Sequence, residues 1–215
     1  MTKELKKRII TSVVLLTIVL NCLYINNYSW LILLFVVSFL CWLEFFNIVK
    51  KIKININLKG ILNISSIILL LLFINSAYRI KITSAPDIIL FLLLVCIFSD
   101  IGGYVVGKTI GGKKLTKISP NKTISGSIGS FVFSFSIIPF FINYYNDINL
   151  YQIILITFII SLTSQLGDLM LSYLKRKSKA KDTGNFLPGH GGILDRIDGI
   201  LFAAPVGVFL FILFL

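Results

Sequence analysis

Apolar residues fall along this chain in long runs instead of alternating with polar residues. Such runs favour helices surrounded by lipid, because a helix needs about 20 mainly apolar residues, and at least about 17, to cross the hydrocarbon core of a membrane. We therefore predict an all-α, polytopic transmembrane helical protein with about seven spans. The predicted spans are approximately Ile9–Ile25, Tyr28–Val49, Ile61–Ala77, Asp87–Val106, Ile124–Ile142, Leu150–Leu174 and Gly191–Leu215.

The connections between these runs alternate in charge. One set of four segments holds eighteen Lys and Arg residues, whereas the opposite connections hold only Arg79 and Lys81. Basic residues are in excess on the cytoplasmic side of membrane proteins, so we expect a cytoplasmic N-terminus and, with seven spans, an external C-terminus. The four basic segments are residues 1–8, 50–59, 108–122 and 175–181.

The composition agrees with a membrane protein. Of the 215 residues, 56% are hydrophobic and 14% are charged, and the mean hydropathy is +0.92. The net charge of +12 could suggest nucleic acid as a partner. We expect none, because the basic residues form short clusters between apolar runs. Cys22, Cys41 and Cys96 lie inside apolar runs without metal-site spacing, which is typical of small buried hydrophobic residues.

The first apolar run follows basic residues, as in a signal peptide, but no small-residue cleavage site comes after it. We therefore expect an uncleaved first helix. Neither an internal repeat nor a long linker divides the chain. It is predicted to form one integral membrane domain, with N-terminal transmembrane helices in residues 1–85 and a catalytic transmembrane region with cytoplasmic loops in residues 86–215.

Acidic residues are scarce, so their positions are informative. Asp100 and Asp168 lie within predicted spans, where a carboxylate is costly unless it is paired, faces a polar cavity or binds an ion. Both are candidates for a functional site, and the alternative is that neighbouring hydroxyls or a Lys satisfy them. For Glu44, simple pairing and snorkelling towards the membrane surface stay open beside a functional role.

Asp195 and Asp198 are three residues apart and would project from one face of a helix. Two adjacent carboxylates repel each other, and a divalent cation removes this repulsion. Mg²⁺ commonly takes one or two carboxylates together with phosphate oxygens, so the pair predicts a magnesium site. The alternative is that both acids pair with Arg196 and the nearby Lys cluster.

Three polar segments suit phosphate groups. The basic cluster from Lys175 to Asp182 follows a predicted span, and alone it would only set topology or touch anionic lipid. The glycine-rich turn at 188–192 precedes a helix, where backbone N–H groups can meet a phosphate, and it contains the only histidine, His190. The loop 107–126 combines glycines, lysines and hydroxyls that suit a polyphosphate, without the spacing of a P-loop.

The C-terminal half contains an ordered series of motifs. The series resembles the signature of CDP-diacylglycerol synthases, also called phosphatidate cytidylyltransferases. Two departures are Ser125, where the family usually has an acid, and a chain shorter than typical bacterial members. The motifs are Asp100 to Tyr104 with Gly107, Ser119-Pro-Asn-Lys122-Thr123 with Gly126, Gln165-Leu-Gly167-Asp168, Ser172 with Lys175-Arg176, Lys181-Asp182, Gly184, Leu187-Pro188, His190-Gly191-Gly192, Asp195-Arg196 and Asp198.

The resemblance implies Mg²⁺-dependent transfer of a cytidylyl group from CTP to phosphatidate, which gives CDP-diacylglycerol and pyrophosphate. It also implies a multi-pass protein of the inner membrane with its active site facing the cytoplasm, and a homodimer; a second, monovalent cation stays open. The implied metal ligands are Asp168, Asp195 and Asp198. The implied catalytic residues are Lys175, Arg176, Lys181, Asp182, His190 and Arg196. The implied substrate-binding residues are Asp100, Tyr104, Ser119, Lys122, Thr123, Gly126, Gln165, Gly191 and Gly192.

Other functions have distinguishable signatures. A transporter would place its intramembrane acids near the midplane on broken helices, whereas here they gather towards one face beside basic loops. A structural membrane subunit would not need this pattern of Asp, His and Arg. Another lipid enzyme, such as a polyprenol kinase or a cytidylyltransferase for a different lipid phosphate, is the closest alternative.

Overall fold

The computed structural model describes residues 3–83, 87–142, 148–187 and 191–214. The described part is helical apart from turns and isolated β-bridges, which confirms the predicted all-α fold class. The helices are α1 (Lys3–Ile25), α2 (Asn27–Lys51), α3 (Ile56–Thr83), α4 (Asp87–Thr109), α5 (Ile124–Phe135), α6 (Ile138–Phe141), α7 (Leu150–Lys177) and α8 (Leu194–Phe214).

Six helical segments in the described ranges are long and apolar enough to cross a membrane. The first helix adds a shorter apolar stretch, Ile10–Ile25. The prediction of about seven apolar spans therefore corresponds to six segments of spanning length and one shorter helix. The six segments are Asn27–Lys51, Ile56–Ile82, Asp87–Thr109, Ile124–Phe141, Leu150–Lys177 and Leu194–Phe214.

The predicted fifth span is interrupted between α5 and α6. Ser136 N donates to Phe133 O at 3.1 Å and Ile137 N donates to Ser134 O at 3.2 Å, so the backbone tightens into bonds three residues back. Pro139 follows at once and lacks the N–H that a continuous α-helix would use. The proline therefore accounts for the break, which the apolar pattern alone did not show.

The chain divides into two compact units, one of Met1–Pro86 with Leu174–Ile197 and the other of Asp87–Tyr173 with Asp198–Leu215. We call them the first and the second unit. In the first unit α2 packs against both α1 and α3. Trp30 Nε1 donates to Ala77 O at 3.1 Å, and Lys81 Nζ donates to Cys22 O at 3.0 Å. These bonds satisfy polar groups within an apolar bundle.

In the second unit, glycines bring α4 and α5 into backbone contact. A Cβ at Gly102 would lie 2.6 Å from Phe133 Cβ, and a Cβ at Gly126 would lie 2.7 Å from Gly103 O. Small residues permit this close approach between membrane helices. In the second unit, α4 and α5 therefore pack through glycines that let each helix approach the backbone of the other.

Candidate active site

The connection between α4 and α5, in the second unit, contains near its start two glycines in left-handed backbone conformations. Gly111 has φ of 65° and Gly112 has φ of 103°, values at which a side chain would be strained. The chain reverses here, and Ile124 N donates to Lys113 O at 3.0 Å. The turn thereby returns the chain to the start of α5.

Hydroxyl groups fix the first turn of α5. Gly126 N donates to Thr123 Oγ1 at 3.0 Å, so Thr123 caps the helix. Ser125 Oγ lies 3.0 Å from Thr123 Oγ1 and donates to Gly111 O. Ser125 stands where the family that the sequence resembles usually has an acid, and it ties the start of α5 to the glycine turn.

A cavity of about 330 Å³ opens beside this loop, wholly within the second unit. The structure gathers around it seven of the nine residues that were predicted to bind substrate, together with Asp168, which was predicted to bind metal. Further lining side chains, such as Asn121 and Ser172, are polar. The predicted residues that line it are Asp100, Tyr104, Ser119, Lys122, Thr123, Gly126, Gln165 and Asp168.

Asp168 and Lys122 form an ion pair in this cavity. Their side chains are 30% and 27% exposed, so the pair stays accessible to a ligand. Ser172 Oγ also donates to Asp168 Oδ1, at 3.3 Å. The pairing of Asp168 with a Lys and a hydroxyl was the alternative left open by the sequence, and it coexists here with a position in a polar cavity.

Gln165 connects the cavity wall to the buried part of the second unit. Ser127 Oγ donates to Gln165 Oε1 at 2.5 Å, and Gln165 Nε2 donates to Ser161 Oγ at 3.4 Å. Ser161 Oγ lies 2.9 Å from the buried Ser99 Oγ. This row of hydrogen bonds fixes the orientation of the glutamine amide at the cavity.

Gly167 brings α8 close to Asp168. A Cβ at Gly167 would lie 2.8 Å from Asp198 O, so the two helices meet closely at this point. Asp198 is half-buried, and its Oδ1 accepts a hydrogen bond from Gly199 N at 2.9 Å. Asp168 and Asp198 therefore belong to adjoining turns of two closely packed helices.

The oxygen groups of the cavity suit Mg²⁺. Asp100 and Asp168 line it with carboxylates, and Ser119 and Thr123 add hydroxyls, which are the hard ligands that this ion prefers. Within neither unit do the described residues gather three His, Cys, Asp or Glu side chains in one group. An ion held here would complete its coordination with water or phosphate oxygens, as Mg²⁺ usually does.

The first unit contains a second group of predicted residues, at the end of α7 and the start of α8. Lys175 Nζ donates to Asp195 Oδ1 at 2.7 Å. Asp195 Oδ2 accepts hydrogen bonds from Thr183 N at 2.7 Å and Gly192 N at 3.3 Å. The pairing of Asp195 with the Lys cluster, an alternative to metal binding in the sequence, is thus present.

The remaining predicted residues of this group differ in exposure. The side chains of Arg176, Lys181, Asp182 and Arg196 are exposed. Gly191 has φ of 84°, a conformation that suits glycine. His190 lies outside the described residues.

The model of a family described as "Cytidylyltransferase family" matches residues 6–86 and 72–214. The chain belongs to the cytidylyltransferase family. This membership confirms the resemblance that the C-terminal motifs indicated.

Curated proteins similar to this cytidylyltransferase family member carry the name phosphatidate cytidylyltransferase. One from Staphylococcus haemolyticus is 46% identical over 121 residues, which are 55% of this chain and 46% of that protein. One from Rickettsia bellii is 45% identical over 131 residues, 56% of this chain and 57% of that protein. One from Staphylococcus aureus strain COL is 47% identical over 121 residues, 55% of this chain and 46% of that protein. The chain thus spans about half the length of the curated relatives it matches.

One polar residue of this family member was not among the predicted site residues. Glu44, in α2, is buried and accepts hydrogen bonds from the first-unit segment that contains Thr183 and Leu194. An acid within an apolar run was the available sequence signal. It did not reveal the partner, because the two segments are more than a hundred residues apart in the chain.

Proposed function

We propose that the protein transfers the cytidylyl group of CTP to phosphatidate and releases pyrophosphate. The observation that carries this proposal is the second-unit cavity, which gathers seven of the nine predicted substrate-binding residues and places Lys122 beside Asp168. The names of the curated relatives and the family membership support it.

In the proposed reaction a phosphate oxygen of phosphatidate attacks the α-phosphorus of CTP. A new P–O bond forms, the bond from the α-phosphorus to the oxygen bridging it to the β-phosphorus breaks, and the electron pair leaves with pyrophosphate. The attacking phosphomonoester is largely ionised near pH 7, since its second pKa is about 6 by analogy with phosphorylated side chains. The protein therefore needs no strong general base.

The main task of the protein is to bring two anions together, which requires positive charge at fixed positions. Lys122 faces the cavity and would contact phosphates of CTP. Lys175 keeps two ammonium donors beyond its bond to Asp195, and together with the exposed Arg176 and Lys181 it would hold the lipid phosphate. Arg196 and His190 would complete the phosphate contacts.

The proposal includes Mg²⁺ as cofactor. Asp168 and Asp198 of the second unit would hold it, with Asp100 adding a further carboxylate to the cavity that Asp168 lines. When bound, Mg²⁺ would neutralise negative charge on the phosphates. Asp168 and its ion-pair partner Lys122 both line this cavity.

The reaction is tested with purified protein in phosphatidate-containing vesicles and CTP labelled either at the α-phosphorus or at the γ-phosphorus. We expect the α-label to enter the lipid with release of unlabelled pyrophosphate, and the γ-label to leave as pyrophosphate. Transfer of the γ-label to lipid would instead identify a lipid kinase. Absence of label from the lipid in both cases would contradict the proposal.

We also propose that the protein lies in the cytoplasmic membrane with its basic loops facing the cytoplasm. The proposal rests on the eighteen Lys and Arg residues in one set of segments against two in the other. Lys117→Cys and Asn149→Cys, each made in a protein without the native cysteines, provide a matched pair of exposed positions. An impermeant maleimide should label Asn149→Cys in intact cells and Lys117→Cys only after permeabilisation, and the reverse result would refute the orientation.

A further inference from the structure

Glu44 is a buried acid in the apolar helix α2, with 1% of its surface exposed. A buried carboxylate is costly unless hydrogen bonds replace its lost water. Its carboxylate accepts hydrogen bonds from Thr183 Oγ1 at 2.7 Å, Ile193 N at 3.0 Å and Leu194 N at 2.9 Å. All three donors belong to one segment of the first unit, which therefore folds around this carboxylate.

Two of these donors are backbone N–H groups at the start of α8, which begins at Leu194. The first N–H groups of a helix have no partner within it, and they carry the positive end of the helix dipole. The carboxylate of Glu44 supplies both the acceptor and the negative charge. Glu44 thus caps α8 from a different helix.

Glycines make room for the carboxylate on both sides. A Cβ at Gly184 would lie 2.8 Å from Glu44 Cδ, and a Cβ at Gly192 would lie 2.7 Å from Gly184 N. Even an alanine at either position would therefore displace its neighbours. Glycine suits these two signature positions because Glu44 and the facing backbone occupy the space that a side chain would need.

Thr183 links Glu44 to Asp195. Its Oγ1 lies 2.7 Å from Glu44 Oε2 and 3.0 Å from Asp195 Oδ2, while its backbone N donates to Asp195 Oδ2 at 2.7 Å. A hydroxyl has one proton, so it can donate to only one carboxylate at a time. The shorter distance favours Glu44, with the backbone N–H left to hold Asp195.

We propose that Glu44 is a positioning residue for Asp195 and Lys175. It fixes Thr183 and the first turn of α8, which in turn hold the Asp195 carboxylate towards the Lys175 ammonium at 2.7 Å. The effect of Glu44 on activity rests on the proposed cytidylyl transfer. The hydrogen-bonded arrangement of the segment does not depend on it.

The test uses full-length protein with Glu44→Gln, which keeps the side-chain size but replaces an acceptor oxygen with an NH₂ group facing N–H donors. We expect kcat to fall about tenfold or more and KM for phosphatidate to rise, because Lys175, which is proposed to hold the lipid phosphate, loses its fixed position, whereas KM for CTP should stay within about threefold. Ser38→Ala is the matched control, because Ser38 is buried in the same helix and its Oγ lacks a hydrogen-bond partner among the described residues. This control should keep the activity of the unsubstituted protein.

A second pair of variants tests the link through Thr183 and serves also if Glu44→Gln does not fold. Thr183→Ser keeps the hydroxyl and should keep most of the activity, whereas Thr183→Val should lose about as much as Glu44→Gln. The double variant Glu44→Gln with Thr183→Val should be little worse than either single variant, because both break one connection. Additive losses, or equal losses in the Ser and Val variants, would overturn the link.

Hydrogen exchange separates this inference from the proposed function. In Glu44→Gln the amides of Thr183, Ile193 and Leu194 should exchange faster than in the unsubstituted protein and in Ser38→Ala. Unchanged exchange together with unchanged kcat would overturn the positioning role. Faster exchange in a protein whose unsubstituted form makes no CDP-lipid would support the arrangement around Glu44 and contradict only the proposed reaction.

Discussion

Replacing Lys122 with Met should reduce activity strongly and stability little. The substitution keeps a long side chain in the cavity and removes the ammonium that pairs with Asp168. Asp168 then keeps Ser172 as its hydrogen-bond donor among the contacts described above, and its negative charge is no longer balanced in the cavity. An incoming triphosphate loses an attractive contact and meets a repulsive one.

The expected loss of stability is small because both side chains of the ion pair are partly exposed to solvent. Both partners of the ion pair are about one-third exposed or less, 27% and 30%, and such partly hydrated pairs contribute only about 0–1 kcal/mol to folding. A hydrogen bond to a charged group contributes about 1.5–3 kcal/mol, and losing one that Lys122 makes to the nucleotide in the transition state should raise the barrier by a similar amount. Since 1.36 kcal/mol corresponds to tenfold in rate, we expect kcat/KM for CTP to fall roughly 10- to 150-fold.

The assay measures lipid labelling from α-labelled CTP at several CTP concentrations, with thermal denaturation in detergent measured in parallel. Lys117→Met is the matched control, because Lys117 is an exposed lysine of the same loop. It should behave like the unsubstituted protein. A Lys122→Met protein whose kcat/KM stays within about twofold of the control value would refute a contact between Lys122 and the nucleotide.

Other substitutions and conditions give further expectations. Gly102→Val should lower the denaturation temperature markedly, because a Cβ at this position would lie 2.6 Å from Phe133 Cβ. An unchanged denaturation temperature would argue against close packing of α4 and α5. Ser125→Ala should raise KM for CTP several-fold with little change in kcat, because the substitution removes the hydroxyl that donates to Gly111 O. Steady-state kinetics measure this rise, and an unchanged KM would mean that the turn does not need this hydrogen bond. Chelation of divalent cations with EDTA should abolish lipid labelling and added Mg²⁺ should restore it, so labelling that persists in excess EDTA would contradict the magnesium proposal.

Much of the architecture could be predicted from the sequence because lipid imposes a simple rule. A continuous run of apolar residues long enough to cross a membrane favours a helix, since a helix satisfies all of its backbone hydrogen bonds within the run. A polar site could also be anticipated. Residues such as Asp100, Gln165 and Asp168 are costly in an apolar run unless they face a polar cavity or a polar partner.

The partners of these polar residues could not be predicted. The sequence indicated that Asp168 requires a cation or a hydroxyl, but only the fold selects Lys122 and Ser172. Glu44 is a stronger case, because an acid in a featureless apolar helix carries no sign of the distant Thr183 that it contacts. The break before α6 likewise depends on backbone hydrogen bonds that hydropathy does not register.

The backbone contact of α4 and α5 limits how the cavity can change shape. Gly103 and Gly126 both line the cavity and also meet each other, with no flexible side chains between them that could be compressed or rearranged. Separating the helices would open an empty gap, so this wall moves as one rigid body. The cavity is also lined by residues of α7, such as Gln165 and Asp168, so a change in its width would come from movement of α7 or of the loop that contains Gly111 and Gly112.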